Sequence, residues 1–106
     1  YRNVGGFAPK DPAAVVTLAF DFRRFTAAPS FPQVSVTQEA GPADAAFAQV
    51  LLGSPSVQGS KVYQRVRQGL LWADYMLRVV VTAPDGSVYP MEGILPVRPA
   101  GWEPNG

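Results

Sequence analysis

Alternation of apolar and polar residues is the clearest pattern in this chain, and it predicts β-strands. The segment AAVVTLAFDF alternates over most of its length. Its inward positions are Val16, Leu18, Phe20 and Phe22. A period of two is typical of a strand with one buried face. Residues 31–38 and 61–68 alternate in the same way, which adds two strand predictions.

Residues 74–97 predict a β-hairpin, because two apolar segments flank a strong turn signal. The turn is formed by Pro84, Asp85 and Gly86. Together they supply a fixed φ, a side chain that bonds the backbone, and a residue that accepts positive φ. The predicted core of the protein consists of Val16, Leu18, Phe20, Tyr75, Leu77, Val79 and Ile94.

The chain as a whole predicts an all-β fold of about six or seven short strands separated by regular turn signals. FAQVLLG, residues 47–53, fits a strand or one helical turn, and its neighbours favour a strand; SPSVQGS after it predicts a loop. We expect a small immunoglobulin-like β-sandwich, with a small barrel as the alternative. The sandwich spans residues 12–97, between an extended N-terminal arm, residues 1–11, and a C-terminal tail, residues 98–106.

Composition narrows the expected partners. Nine basic and eight acidic residues give a net charge of +1, whereas nucleic-acid binders usually carry a strongly basic face. No apolar run approaches the length of a membrane span. We therefore expect neither nucleic acid nor a membrane as a partner. Only 16% of the residues are charged, which fits a surface partly covered by a protein partner or an uncharged polar surface.

Catalytic chemistry is not evident in the sequence. There is no His and no Cys, which removes the usual general base and the commonest metal ligands. No nucleophile elbow, phosphate-binding loop, dinucleotide fingerprint or calcium loop is present. Asp85 is explained by its turn and Asp74 by a strand edge. We predict a protein that is not an enzyme, with no catalytic residue, no bound metal and no cofactor.

Three residues on one predicted strand form a candidate binding strip. With Lys61 at the start of the same strand, Tyr63, Arg65 and Arg67 lie on the face opposite Val62 and Val66. Basic residues beside an aromatic ring bind nucleic acid by charge and stacking. The same strip suits a protein interface or a solvated strand face, so all three interpretations stay open.

Aromatic residues in the two predicted arms are the other interface candidates. Phe7 and Trp102 lie among prolines and glycines that disfavour helices and strands. A ring without a core of its own is expected to dock on a neighbouring molecule. Trp72, in the connection GLLWA, fits a core position best and an interface anchor as the alternative.

Two parts of the chain resemble small virion proteins of tailed bacteriophages. KDPAAVVTLAFDFRRF matches their opening, in which Lys-Asp-Pro precedes an apolar strand and then an Asp and an aromatic residue. These positions are Lys10, Asp11, Pro12, Asp21 and Phe22. Residues 66–97 match their second half, with a glycine step at Gly69, a strand led by Tyr75 and a turn at Gly86. The segment between the two, residues 25–60, matches poorly.

The resemblance implies a structural role on a phage particle and supplies no catalytic residues. The expected protein is a capsid decoration or cement protein on the capsid surface of the virion. Its expected partners are the major capsid protein, or another virion protein, and further copies of itself. A position in the neck, tail or baseplate is the first alternative. An adhesion module that binds carbohydrate through Tyr63, Trp72 and Trp102 is the second.

Overall fold

A computed structural model describes residues 4–7 and 9–100, and these residues form a β-sandwich. The strands are β1 (Val4–Gly6), β2 (Val16–Asp21), β3 (Ser30–Ala40), β4 (Leu51–Gln58), β5 (Lys61–Val66), β6 (Asp74–Thr82) and β7 (Val88–Pro96). The predicted all-β sandwich is confirmed. Within the described residues, no helix has the length and apolar character needed to cross a membrane.

Two sheets pack face to face with the core between them. One has the strand order β1-β7-β6-β3 and the other β2-β5-β4, and every pairing is antiparallel except that of β1 with β7. The predicted hairpin is confirmed, since β6 and β7 pair in register along their whole length. In its turn, the Ala83 N–H donates to the Ser87 carbonyl at 2.7 Å, and the Asp85 carboxylate accepts from the Ser87 N–H at 2.9 Å.

The inner faces of both sheets supply the core. Of the predicted core residues, Leu18, Phe20, Tyr75, Leu77 and Val79 are buried, and Val16 is half-buried at the start of its strand. These side chains alternate with exposed or half-buried neighbours along β2 and β6. The period-two pattern therefore identified the inner faces of these two strands correctly.

Ile94 is a correction to the predicted core. It lies opposite Met76 on the outer face of the larger sheet and is half-buried. Gly93 and Leu95 take the inward positions of β7 instead. Because Gly93 has no side chain, the apolar pattern of this strand does not reveal which face is inward. The ring of Phe7 approaches from another strand and fills the space beside Gly93.

Phe7 also corrects the predicted N-terminal arm. Val4–Gly6 pairs in parallel with β7, and the Phe7 N–H donates to the Ile94 carbonyl at 2.9 Å. The Phe7 ring packs edge-to-face on Phe20, with the ring centroids 5.3 Å apart. A Cβ on Gly93 would lie 2.5 Å from this ring. Phe7 thus docks on its own core, and the expectation that it lacks one is wrong.

The middle of the chain differs from the sequence prediction in two places. Phe47–Val50 is a 3-10 turn and not a strand, and the segment predicted as a loop lies largely within β4. Gly53 and Pro55 give that segment its loop signal, but they lie in a β-bulge where the pairing of β4 with β5 shifts register. Pairing with β5 on both sides of the bulge overrides the local preference.

Candidate functional site

One end of the sandwich gathers most of the exposed large hydrophobic side chains in the described residues. The connections from β1 to β2, β3 to β4 and β5 to β6 meet at this end. We call Leu70, Leu71 and Trp72 the apolar tip; they are 37%, 39% and 49% exposed. Val15 and Phe47 are exposed in the neighbouring connections. Exposed apolar side chains at one end make this end of the sandwich a candidate interaction site.

The backbone of the apolar tip is held in an unusual conformation. Gln68 and Trp72 have φ values of 56° and 69°, in the left-handed region that residues other than glycine rarely adopt. Each such residue costs about 1–3 kcal/mol and persists only where its surroundings impose it. Contacts from distant parts of the chain impose it here.

Lys10 provides the first of these contacts. It is 3% exposed, and its Nζ donates to the carbonyl oxygens of Gln68 at 2.7 Å and Asp11 at 2.9 Å. Burial lowers the pKa of Lys10, and the Asp11 carboxylate partly opposes that shift. The buried ammonium group therefore fixes the Gln68 carbonyl at the point where the tip begins.

Tyr75 provides the second contact, from the core side. Its hydroxyl accepts a hydrogen bond from the Leu70 N–H at 2.8 Å and donates one to Oδ2 of Asp44 at 2.8 Å. Burial raises the pKa of Tyr75, and the hydrogen bond to the Asp44 carboxylate raises it further. The side chain ties the tip to the connection between β3 and β4.

The raised pKa of Tyr75 predicts a loss of stability in alkali. Between the ordinary pKa of 10.0 and the higher folded value, the native state keeps a proton that the unfolded state has lost. The free energy of unfolding therefore falls as the pH rises through this window. Denaturant titrations from about pH 9 to 11 should show a shallower fall for Tyr75→Phe than for the wild type. Parallel slopes would contradict the assignment, because every other titrating group is common to both proteins.

Arg98 lies on the other side of the tip. Its guanidinium donates to the Asp74 carboxylate at 2.8 Å and to the Ala73 carbonyl at 3.1 Å. It lies 5.6 Å from the centroid of the Trp72 ring, within the range of a cation–π contact. The Trp72 N–H donates to the Val97 carbonyl at 2.8 Å. The charges of Arg98 and Asp74 offset each other on this side of the tip.

The predicted strip of Lys61, Tyr63, Arg65 and Arg67 is divided in the structure. Lys61 is exposed at the start of β5. Tyr63 and Arg65 lie over a shallow groove of about 340 Å³ on the outer face of the smaller sheet. We call this the Tyr63 groove, and its lining consists of Thr17, Ser54, Ser56, Gln58, Tyr63 and Arg65. Arg67 lies at the apolar end, where its Nε donates to the Gln49 carbonyl at 3.2 Å. Trp102, the remaining candidate, lies outside the described residues.

The residues that support the apolar tip are not evident from sequence. The sequence GLLWA predicts a connection, and Trp72 in it is predicted to be a core residue. In the structure Trp72 is about half exposed. Lys10, Asp44 and Arg98 come from separate segments, and only the fold brings them together. The one available signal is the run from Leu70 to Trp72, because three consecutive apolar residues cannot all face the core from a strand.

Metal-binding side chains are not gathered at either surface. In the part of the chain that the structure describes, no three His, Cys, Asp or Glu side chains cluster so as to hold a metal ion. Comparisons of the chain with family models, with curated proteins and with solved structures found no match. The immunoglobulin-like type of the sandwich therefore stays a prediction.

Proposed function

We propose that this chain is a non-enzymatic structural protein of a tailed-phage particle, a decoration or cement protein that docks on the major capsid protein through its apolar tip. The observation that carries the proposal is the exposure of Leu70, Leu71 and Trp72 on a loop that is hydrogen-bonded to distant parts of the chain. Buried polar groups hold this loop in a strained backbone conformation. Strain of this kind is characteristic of functional sites.

Rigidity makes the apolar tip an efficient binding element. Covering apolar surface contributes about 25 cal/mol per Å², and large apolar side chains near the centre of an interface carry much of the binding energy. A loop that is already ordered loses little further conformational entropy on docking. The hydrogen bonds of Lys10 and Tyr75 therefore supply the order before the partner arrives.

The electrostatics of the tip favour a protein partner. Lys10 is buried against carbonyl groups, and Arg98 is paired with Asp74. Nucleic acids and anionic lipid surfaces are bound mainly through cations that face the ligand. An uncharged apolar tip instead suits an apolar depression on another protein, and any such site on a symmetric capsid shell would recur in many identical copies.

The phage context rests on the resemblance of residues 10–25 and 66–97 to small virion proteins. On a symmetric shell, copies that also contact one another would stay attached more tightly than a single copy, because each contact keeps the others close to their sites. Edge strands give copies of this chain a way to associate, since β3 lies at one edge of the larger sheet and β4 at one edge of the smaller sheet. The neck, tail or baseplate remains the alternative position, and the number of copies per particle distinguishes it from the capsid surface.

Replacing Leu71 by serine is expected to weaken attachment to particles that lack this protein by about tenfold or more, as for a residue at the centre of an interface. The change removes exposed apolar surface and leaves the core intact. Val88→Ser is the matched control, because Val88 is 58% exposed and lies at the opposite end of the sandwich. The measurement is the occupancy of such particles after mixing with each variant.

Equal occupancy for the wild type and Leu71→Ser would exclude the apolar tip as the docking element. Equal losses for Leu71→Ser and Val88→Ser would have the same meaning. Denaturant titration of both variants confirms that any loss of attachment does not come from unfolding.

A further inference from the structure

The Tyr63 groove is formed by the bulge in β4. Gly53 has a φ of 74°, and the pairing of β4 with β5 shifts between Leu52 and Ser56. Gln64 is 1% exposed, and its amide donates to the Gly53 carbonyl at 3.2 Å. This buried amide holds the bulge from the core side. The concavity lies on the opposite side of the sheet from this hydrogen bond.

Arg65 gives the groove an uncompensated positive charge. Its cross-strand neighbours are Thr17 on β2 and Leu52 on β4, and neither is acidic. The other basic residues within the described strands lie opposite acids, Lys61 with Asp21 and Arg78 with Glu92. No carboxylate lines the groove. A surface of this charge favours an anionic ligand.

Tyr63 adds an aromatic ring beside that charge. Its cross-strand neighbours, Ala19 and Ser56, are too short to cover the ring. The remaining lining groups are the hydroxyls of Thr17, Ser54 and Ser56 and the amide of Gln58. Hydroxyls and an amide around an aromatic ring suit a ligand with both C–H and O–H groups. The groove has a volume of about 340 Å³ and is shallow and open to solvent.

We infer that the Tyr63 groove binds an acidic sugar residue of a glycan. The sugar carboxylate pairs with the Arg65 guanidinium, which has the geometry for two parallel hydrogen bonds. The sugar ring packs on Tyr63, and its hydroxyls bond the polar lining. The groove lies on the outer face of β5, and the apolar tip lies beyond the end of that strand. The inference goes beyond the proposed docking function and is tested without particles.

The test is a titration of the ¹⁵N-labelled chain with trigalacturonate, followed by amide chemical shifts, with neutral galactotriose in parallel. We expect trigalacturonate alone to shift amides of β4 and β5. Arg65→Gln should weaken its binding at least about tenfold, because a charge-assisted hydrogen-bond pair is lost. Tyr63→Ala should weaken it as well. Arg78→Gln, on the other sheet, is the matched control and should leave the affinity unchanged.

Three outcomes would overturn the inference. The first is an absence of shifts with trigalacturonate, and the second is an equal loss of affinity for Arg65→Gln and Arg78→Gln. The third is binding of a triglutamate peptide as tight as that of trigalacturonate, since attraction between opposite charges would then account for the result. Capsid attachment has no part in these measurements, so their failure leaves the proposed function intact.

Discussion

Replacing Leu77 by alanine is expected to lower the free energy of unfolding by about 2–5 kcal/mol. Leu77 is fully buried on β6, which lies between β7 and β3 in the larger sheet. The substitution removes apolar contacts at the centre of the sandwich and leaves a cavity that the surrounding strands cannot close. Denaturant titration of the wild type and the variant measures the difference.

Val80→Ala is the matched control for this prediction. Val80 lies on the same strand but on the outer face, where it is half-buried opposite Pro90 and Gln33. We expect it to cost about 1 kcal/mol or less, because little core is disturbed. A loss below about half a kcal/mol for Leu77→Ala, or equal losses for both variants, would mean that the inner face of β6 is assigned wrongly.

Replacing Lys10 by methionine is expected to lower the free energy of unfolding by about 1–3 kcal/mol. Methionine keeps the apolar stem of the side chain but removes the ammonium donor of the Gln68 carbonyl. Methionine is uncharged, so the cost of removing a charge from water disappears. This gain offsets part of the loss. Hydrogen exchange should also quicken at Leu70 and Trp72, whose backbone N–H groups donate to the Tyr75 hydroxyl and the Val97 carbonyl. Denaturant titration and hydrogen exchange measure the two effects.

Lys61→Met is the control for the change of charge. Lys61 is exposed at the opposite end of the sandwich, so we expect a change within about half a kcal/mol and unaltered exchange in the tip. If Lys10→Met left the exchange rates of the tip unchanged, Lys10 would not be the residue that orders this loop. The proposed docking mechanism would then lose its source of rigidity.

The inner face of a strand could be predicted where apolar and polar residues alternate along that strand. β2 and β6 place an apolar residue at every second position, so their inner faces follow from sequence alone. β7 does not, because Gly93 takes an inward position and its space is filled by Phe7 from another strand. β4 carries Gly53 and Pro55, whose local preference for a loop is overridden by pairing with β5. Contacts between distant segments decide both cases.

The candidate surfaces were predictable only in part. Tyr63 and Arg65 share a face because they are two residues apart on one strand, and this part of the prediction follows from periodicity. The apolar tip depends on Lys10, Asp44 and Arg98, which approach one another only through the fold.

Gln64 offered one usable signal, a polar side chain between Val62 and Val66 on an inward face. Such a residue must find internal hydrogen-bond partners, and here it finds them in the bulge.

Pairing of β1 with β7 joins strands from the two ends of the described chain, and this affects how the protein folds as it is synthesised. β2, β4 and β5 can form the smaller sheet early, whereas β3 and β1 have no partner strand until β6 and β7 have left the ribosome. At about 5–20 residues per second, the apolar face of the smaller sheet stays uncovered for seconds. We therefore expect the core to close only when the hairpin of β6 and β7 has emerged.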